Sequence, residues 1–367
     1  MTTDATRPRR LPALLLLLLL LTAPTLALTW QTETVDSAES VGWGASLALD
    51  GIGRPRISYR DGANADLKYA AWNGTNWDIH TVDDTGYAGF YTSLALDAAG
   101  RPHISYHDNG YGDLKYAAWD GMRWHVETVD SELNVGLYNS LALDAAGRPR
   151  ISYQDNNQSD MKYAAWNGTS WDIEVVDGDG GGWYTSLALD AAGRPRISYH
   201  ARNTLRYAVR GETGWAVETV DNAGTVGWDS SLALDAAGRP RISYVDGDNF
   251  DLKYAAWNGT SWDIQTVDSA ANVGGSTSLA LDADGRPRIG YSDRAKGDLK
   301  YAAWDGMSWA IETVDSVGDV GLYASLALDA CDNPRISYYN YTDGDLKYAA
   351  TGTCPVMQLY LPALIHE

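Results

Sequence analysis

The sequence predicts an all-β fold, a seven-bladed β-propeller with four antiparallel strands in each blade. Its core motif SLALD occurs at intervals of 45 to 47 residues, a period typical of propeller blades. Within each repeat apolar and polar residues alternate with a period of two, which indicates strands and not helices. The motif begins at Ser46, Ser93, Ser140, Ser186, Ser231, Ser278 and Ser325.

Each repeat divides into four short strands separated by turn residues. In blade one these are SLALD from Ser46, RPRISY from Arg54, DLKYAAW from Asp66 and WDIHTVD from Trp77. Later blades join the first two strands with a DAAG turn, and Asn-Gly or Asp-Gly joins the last two. The repeat therefore predicts one antiparallel sheet per blade.

The first and last segments of the repeat region predict how the ring closes. The segment from Trp30 to Asp36 resembles a fourth strand but precedes blade one. The last blade, from Ser325 to Ala350, lacks a matching fourth strand. We expect Trp30 to Asp36 to fill that outer position and close the ring, which removes the ends of an open array. The tail CPVMQLYLPALIHE is the competing occupant.

The chain opens with a segment typical of a secretory signal. Arg7, Arg9 and Arg10 precede an apolar run that is too short to span a bilayer, and a small-residue exit ends at Ala27. The pair Arg9-Arg10 leaves a twin-arginine signal as the alternative. We expect a secreted, extracellular protein. The predicted divisions are a signal peptide (1–27), the propeller (28–352) and a C-terminal tail (353–367).

The net charge limits the expected partners, and the two cysteines indicate a disulfide. A formal net charge of −20 repels phosphate backbones and anionic lipid heads, so neither nucleic acid nor a membrane is expected as a partner. Cys331 and Cys354 are the two cysteines. They sit at the ends of two strands that share a rim of the last blade, so an exported chain is expected to join them in a disulfide. We expect a monomer.

Because the repeat serves as its own control, residues that break it are the candidates for function. Twelve of the fifteen tryptophans occupy repeated blade positions and are interpreted as packing residues. The exceptions precede the inner strands together with six other aromatic residues, and all are expected near the mouth of the central channel. These nine are Trp43, Tyr87, Phe90, Tyr91, Tyr138, Trp183, Tyr184, Trp228 and Tyr323. They could stack on sugars or an apolar peptide, or simply plug the channel.

Blade four departs most from the repeat, because its hairpin ISYHARNTLRY is two residues shorter. The shortening predicts a notch in which His200 and Arg202 could receive a carboxylate or a sugar hydroxyl. A drifted repeat is the alternative explanation. The predicted ligand-binding residues are Trp43, Phe90, Tyr91, Tyr138, Trp183, Tyr184, His200, Arg202, Trp228 and Asp229.

Recurring aspartates end the first and fourth strands and are interpreted as acceptors for turn amides. A further pair flanks the second hairpin, as in Asp61 with Asp66, and DGDNFD (246–251) is its richest version. Calcium needs six to eight oxygen ligands, so these pairs keep a calcium site open, and no other metal or cofactor is expected. The repeated carboxylates and scattered histidines match no catalytic pattern, so no catalytic residue is predicted.

The blades also resemble known propeller families. DLKYAAWNGTSW is similar to the blades of fucose-specific lectins, and LALDxxG is similar to sialidase-type and NHL-type blades. The lectin resemblance implies sugar pockets between blades lined by Arg, Glu and Trp. The sialidase resemblance implies an arginine triad, a Tyr and Glu pair and an Asp acid, whereas the arginines here belong to the repeat and SLALDAAG differs from the S-x-D-x-G-x-x-W box.

Together these observations favour a secreted, non-enzymatic propeller that binds carbohydrate, on a cell surface or matrix, through the loop face around the central channel. A sialidase-type glycoside hydrolase and a scaffold for protein partners are the alternatives.

Overall fold

The structure, a computed structural model, describes residues 28–270 and 272–354. Its 28 strands form seven four-stranded sheets, which confirms the predicted all-β, seven-bladed propeller. Within these residues there is no helix, and hence none able to cross a membrane. The predicted signal peptide (1–27) and residues 355–367 of the predicted tail lie outside the described residues.

The strands follow one another around the ring. Before blade one comes β1 (Trp30–Asp36). Blades one to three contain β2 (Val41–Leu49), β3 (Pro55–Asp61), β4 (Asp66–Trp72), β5 (Trp77–Asp83), β6 (Phe90–Leu96), β7 (Pro102–Asp108), β8 (Asp113–Trp119), β9 (Trp124–Asp130), β10 (Val135–Leu143), β11 (Pro149–Asp155), β12 (Asp160–Trp166) and β13 (Trp171–Asp177). Blades four to seven contain β14 (Trp183–Leu189), β15 (Pro195–Ala201), β16 (Thr204–Arg210), β17 (Trp215–Asp221), β18 (Val226–Leu234), β19 (Pro240–Asp246), β20 (Asp251–Trp257), β21 (Trp262–Asp268), β22 (Val273–Leu281), β23 (Pro287–Asp293), β24 (Asp298–Trp304), β25 (Trp309–Asp315), β26 (Val320–Leu328), β27 (Pro334–Asn340) and β28 (Asp345–Thr351).

Strand β1 closes the ring, as the sequence predicts. It pairs antiparallel with β28, and Trp30 lies opposite Thr351 in the register. The Trp30 ring packs edge-on against Tyr301 of blade six at 5.4 Å between centroids. Its Nε1 also donates a hydrogen bond of 3.1 Å to Glu312. The N-terminal strand therefore completes the last blade and contacts the blade before it.

The serine of SLALD recurs in every blade because it makes a hydrogen bond to the next blade. In blade one Ser46 Oγ accepts a hydrogen bond of 3.0 Å from the backbone N–H of Leu94 in blade two. The equivalent bond joins every pair of neighbouring blades. These bonds form a continuous ring around the channel, and they satisfy a strand amide at each blade junction.

A glycine at or just before the start of each inner strand allows neighbouring blades to approach closely. Gly42 adopts φ +107°, and a Cβ at that position would lie 2.9 Å from the Cα of Leu346 in blade seven. Six further glycines contact the preceding blade's third strand in the same way, namely Gly89, Gly136, Gly182, Gly227, Gly274 and Gly321. Only glycine fits both this backbone and this spacing.

The core lies between adjacent blades and contains polar groups. Tyr59 is fully buried, and its hydroxyl donates a hydrogen bond of 2.6 Å to Asp36, the residue that ends β1. Equivalent tyrosines bond the aspartate that ends the preceding outer strand at each of the other junctions. The repeated tyrosine and aspartate therefore lock each blade to its neighbour.

A disulfide between Cys331 and Cys354 confirms the predicted pairing. Their Cα atoms are 5.6 Å apart, within the usual range for this bond. The bond joins the turn after β26 to the chain segment that follows β28. The last blade is thus fixed at both ends, by β1 at its outer edge and by the disulfide at its rim.

Candidate functional site

A bulge in every inner strand creates the candidate site. In blade one the register of β2 and β3 shifts between Trp43 and Ser46, and Gly44 within the bulge adopts a left-handed backbone. The equivalent residue of every blade has φ between +49° and +59°. These residues are Gly44, Tyr91, Tyr138, Tyr184, Asp229, Ser276 and Tyr323. This backbone is costly for all but glycine, and such strain clusters at functional sites.

The bulged residues surround the mouth of the central channel. They line one cavity of about 410 Å³, together with the residue that follows each of them and with Arg294. That volume lies within the range of small-molecule binding sites. The ring of blades is nearly symmetric, but this ring of side chains is not, because the seven positions hold four kinds of residue.

One half of the mouth is aromatic. The ring centroids of Tyr91 and Tyr138 are 4.5 Å apart, and those of Tyr138 and Tyr184 are 4.6 Å apart. Burial raises the pKa of Tyr184 to about 12 and that of Tyr138 as well. At neutral pH these hydroxyls are therefore protonated, and each can donate or accept a hydrogen bond.

The other half of the mouth is polar and less crowded. Asp229 Oδ2 accepts a hydrogen bond of 2.7 Å from the backbone N–H of Ser276. Arg294 Nη2 lies 3.9 Å from the same oxygen, beside the small residues Gly275 and Ser276. Burial raises the pKa of Asp229, and the Ser276 bond and the Arg294 charge only partly oppose this effect. A carboxyl group and a guanidinium thus face the tyrosine half.

Four of the sequence-predicted residues meet in this cavity. Tyr91, Tyr138, Tyr184 and Asp229 all line it. They come from blades two to five, so the structure brings four of the ten predicted ligand-binding residues to one cavity.

The four predicted residues one position earlier form an outer rim. Trp183 stacks on Tyr138 at 6.2 Å and is 43% exposed. Trp43 packs against Tyr339 at 5.5 Å, and Trp228 packs against Phe250 at 6.3 Å. Phe90 lies beneath the guanidinium of Arg60, 4.1 Å from its ring centroid. Because these side chains precede the bulged residue, they contact neighbouring strands and do not line the cavity.

The structure separates the two predicted residues of blade four. His200 is 8% exposed, and its Nδ1 donates a hydrogen bond of 2.7 Å to the Val226 carbonyl. His107 of blade two makes the same bond to Val135, so this contact is not specific to blade four. Arg202, in the shortened turn, lies 2.6 Å from Asp179 and outside the cavity lining. His200 therefore supports Trp183 from below, 6.5 Å between centroids, while Arg202 lies elsewhere on the loop face.

Sequence reasoning did not single out Gly44, Ser276 and Arg294, which also belong to the mouth. The signal for the first two was present in the alignment of the repeats, because the column two residues before SLALD reads G, Y, Y, Y, D, S, Y. Arg294 gave no such signal, since it reaches the mouth from the turn after β23.

The paired aspartates proposed for calcium already have a cationic partner. Lys68 Nζ lies 3.0 Å from Asp61 Oδ2 and 3.8 Å from Asp36 Oδ2. Asp61 also accepts hydrogen bonds from the backbone N–H groups of Ala63 and Asn64. A calcium ion at this turn would have to displace the lysine ammonium. In the described part of the chain, the other close group of potential metal ligands is Asp329 with Cys331 and Cys354, whose thiols form the disulfide.

Further cavities lie between blades. One of about 480 Å³ between blades two and three is lined by Glu127, Arg148 and Trp166 among others. It contains the residue types that the lectin resemblance implies. However, Glu127 accepts a hydrogen bond of 3.1 Å from Trp171, and Arg148 lies 2.8 Å from Asp144, as their repeat equivalents do. The second, of about 280 Å³ between blades one and two, includes His80, Trp119 and Trp124.

Comparison with known proteins supports the fold. No protein-family model and no curated protein matches the sequence. A protein of unknown function from Dyadobacter fermentans is similar in structure, with a TM-score of 0.54 and 12% identity over 87% of this chain and 97% of that one. An ulvan lyase from a family of polysaccharide lyases, bound to -[GlcA(1-4)Rha3S]-, is 15% identical with a TM-score of 0.60, over 88% of this chain and 96% of the lyase. A second structure of an ulvan lyase is 16% identical with a TM-score of 0.58, over 87% and 96% of the two chains.

Proposed function

We propose that this protein is a secreted carbohydrate-binding protein that holds a saccharide at the mouth of its central channel without cleaving it. The observation that carries the proposal is the division of the mouth into a row of three touching tyrosines, Tyr91, Tyr138 and Tyr184, and a polar half with Asp229 and Arg294.

The two halves match the two kinds of surface on a sugar ring. A tyrosine ring offers a flat apolar face to the C–H groups of a pyranose, and its hydroxyl can both donate and accept hydrogen bonds. A carboxylate and a guanidinium provide the acceptor and donors that fix the orientation of sugar hydroxyls. Since the cavity has about 410 Å³, it accommodates one or two sugar units at the end of a longer chain.

The alternatives fit this cavity less well. A sialidase-type hydrolase would need an arginine triad, a Tyr and Glu pair and an Asp acid, and most other glycoside hydrolases need two carboxyl groups on either side of the scissile bond. Among the described residues, Asp229 is the one carboxylate that lines the mouth. A scaffold for folded proteins would need a broad apolar surface, whereas the tyrosines here line a recess. The geometry therefore favours binding of a small glycan epitope.

The structural neighbours support the chemical class and nothing finer. An ulvan lyase carries a bound glycan on a propeller of similar fold, so such rings can present carbohydrate sites. At 15% identity no residue role transfers from that lyase to this chain.

The test is a glycan array with the chain from Leu28 to Glu367, run with calcium and again with a chelator. Tyr138→Ala should weaken binding to any selected glycan by at least about tenfold, because Tyr138 contacts both neighbouring tyrosines. Tyr111→Ala is the matched control, since Tyr111 is an exposed tyrosine outside the cavity.

The outcomes separate the possible sites and activities. Binding that survives Tyr138→Ala but is lost in Trp166→Ala would assign the site to the cavity between blades two and three. Release of shortened products from the bound glycan would replace the binding function with an enzymatic one. Silence on the array under both conditions would contradict the proposal for the sugars tested.

A further inference from the structure

Blade one contains a buried cation that has no partner among the described residues. Arg60 is the sixth residue of β3 and lies opposite Trp43 of β2 in the register. Only 9% of its surface is exposed. Its Nε is fully buried and unbonded, and its guanidinium makes no hydrogen bond or salt bridge with any residue in 28–270 or 272–354.

Such an arrangement is unusual because a buried charge is normally paired and hydrogen-bonded. The adjacent carboxylate does not satisfy it. Asp61 is directed to Lys68 Nζ at 3.0 Å and to the amides of its own turn. Among the described residues, the guanidinium lies over the ring of Phe90, 4.1 Å from its centroid, and the Asp61 charge attracts it without a hydrogen bond or an ion pair within 4.0 Å. Blade one therefore keeps a positive charge, supported on an aromatic face and supplied with no acceptor.

A second donor on the same blade is also unsatisfied. Trp43 Nε1 is buried without a hydrogen-bond partner, and Trp43 is the ladder neighbour of Arg60. Between Trp43 and the SLALD motif lies Gly44, the one bulged residue of the mouth that has no side chain. Blade one thus places two unused donors beside the sector of the mouth that Gly44 leaves without a side chain.

The position of Arg60 in the repeat shows that this feature is specific to one blade. The equivalent residues in blades two to seven are His107, Gln154, His200, Val245, Ser292 and Tyr339. None of these is an arginine or lysine, and His107 and His200 donate to backbone carbonyls. The repeat does not require a cation at this position, so we interpret the arginine of blade one as a functional residue.

We propose that Arg60 binds an oxyanion of the ligand, a carboxylate or a sulfate, so that the channel mouth selects an acidic saccharide. A planar guanidinium pairs with such a group through two parallel hydrogen bonds. Arg60 lies next to the mouth, because its ladder neighbour Trp43 packs against Tyr323 of the cavity lining at 6.1 Å between ring centroids. An anion there lies beside the mouth, and the neutral part of the sugar can extend toward the tyrosines. This inference rests on the proposed function for the saccharide, but its anion site can be tested alone.

The experiment measures the thermal unfolding midpoint of the chain from Leu28 to Glu367 during titration with sodium glucuronate, with sodium sulfate and, at matched ionic strength, with sodium chloride. A ligand that binds only the folded state raises the midpoint with its concentration. We expect a saturable rise with glucuronate, sulfate or both, and none with chloride. Glucose serves as the neutral counterpart of glucuronate.

Arg60→Met retains the packing of the side-chain stem and removes the charge. We expect its apparent affinity for the anion to fall by at least about tenfold, because hydrogen bonds to charged groups are the stronger ones. Arg60→Lys keeps the charge without the planar pair of donors and should bind with intermediate affinity. Arg239→Gln is the control for net charge, since Arg239 is half-exposed and bonded to Asp235. General stabilisation by sulfate would raise the midpoints of all variants equally.

The results distinguish the two proposals. An equal anion response in the wild type and Arg60→Met overturns the anion site. So does a lower midpoint of Arg60→Met without ligand, because it would make Arg60 a structural residue. If the anion response depends on Arg60 but no glycan on the array binds, the anion site is supported and the carbohydrate-binding function is contradicted. Array binding restricted to neutral glycans would support the saccharide site and contradict the anion site.

Discussion

Asp229 and Arg294 approach to 3.9 Å without forming a hydrogen bond, although they carry opposite charges and share the channel mouth. Asp229 is held instead by the backbone N–H of Ser276, the next residue around the ring. Burial keeps the pKa of Asp229 raised, which means that the surroundings stabilise its charge less well than water does. A ligand hydroxyl between the two side chains could bond to both.

The raised pKa gives a prediction for stability. A carboxyl group whose pKa is higher in the folded state destabilises the fold once the pH rises above its unfolded value of 3.8. Asp229→Asn removes that charge and keeps an acceptor for Ser276. We expect the variant to unfold at a higher temperature than the wild type at pH 7, with a smaller difference near pH 3.5, as followed by calorimetry. A lower midpoint at pH 7 would contradict the raised pKa.

The aspartates that end the outer strands predict the opposite pH dependence. Burial alone would raise the pKa of Asp83, but hydrogen bonds from Thr85 and Tyr106 and the charge of Lys115 hold it below its usual value. Stability from this group is therefore present above pH 3.8 and is lost as the pH falls toward the lower folded value. Asp177, Asp221, Asp268 and Asp315 also have lowered pKa values. We expect the free energy of unfolding to fall steeply below about pH 4.

Asp83→Asn tests the contribution of one such group. Tyr106 and Lys115 would lose a charged acceptor, so the variant should be less stable than the wild type by about 1 to 3 kcal/mol at pH 7. Urea unfolding at pH 7 and pH 3 measures the difference, which should shrink at pH 3. Asp172→Asn, on the exposed face of β13, is the control. Equal losses at both pH values would show that the charge of Asp83 is not the cause.

The ring of serine bonds predicts the effect of opening one junction. Ser325→Ala removes the acceptor for the Leu47 amide, which joins blade seven to blade one. Leaving a partly buried amide without a partner should lower the free energy of unfolding by about 1 to 3 kcal/mol. Ser93→Ala, at an internal junction, should have the same effect because the bond is equivalent. Urea unfolding measures the free energy of unfolding of both variants. No change in either variant would show that water replaces the serine as the acceptor.

The disulfide predicts that reduction lowers the free energy of unfolding. Cys331 and Cys354 have a sequence separation of 23, and a loop of this length contributes about 3 kcal/mol when it restricts the unfolded chain. The double variant Cys331→Ser with Cys354→Ser should lose about that amount in urea, and reductant should then have no further effect. A variant as stable as the oxidised wild type would show that β1 alone secures the last blade.

The repeat made the architecture predictable from sequence, because one period fixed both the number of blades and the location of each strand. Trp30 is the clearest case, since a strand-like segment without a blade of its own implied a blade without its outer strand. The disulfide followed from the same reasoning, as Cys331 and Cys354 could be placed on one rim.

The site was only partly predictable, for a local physical reason. A rule of alternating faces breaks at a bulge, so Phe90 and Tyr91 could not be assigned to the rim and to the cavity from their order alone. The ion pair of Arg202 with Asp179 spans two turns and leaves no pattern in either. The missing partner of Arg60 is likewise a property of three-dimensional surroundings, which the residue's own segment does not reveal.

The left-handed bulge also bears on how such a chain can diversify. The serine, glycine and tyrosine of the repeat are constrained by the next blade, so a change in any of them disturbs a junction. The bulged residue lines the mouth, and its side chain takes no part in the serine, glycine and tyrosine contacts that join the blades. Substitutions at this position in duplicated blades therefore leave the contacts between blades in place. Related propellers could change their ligand by varying these seven residues, which read GYYYDSY in this chain.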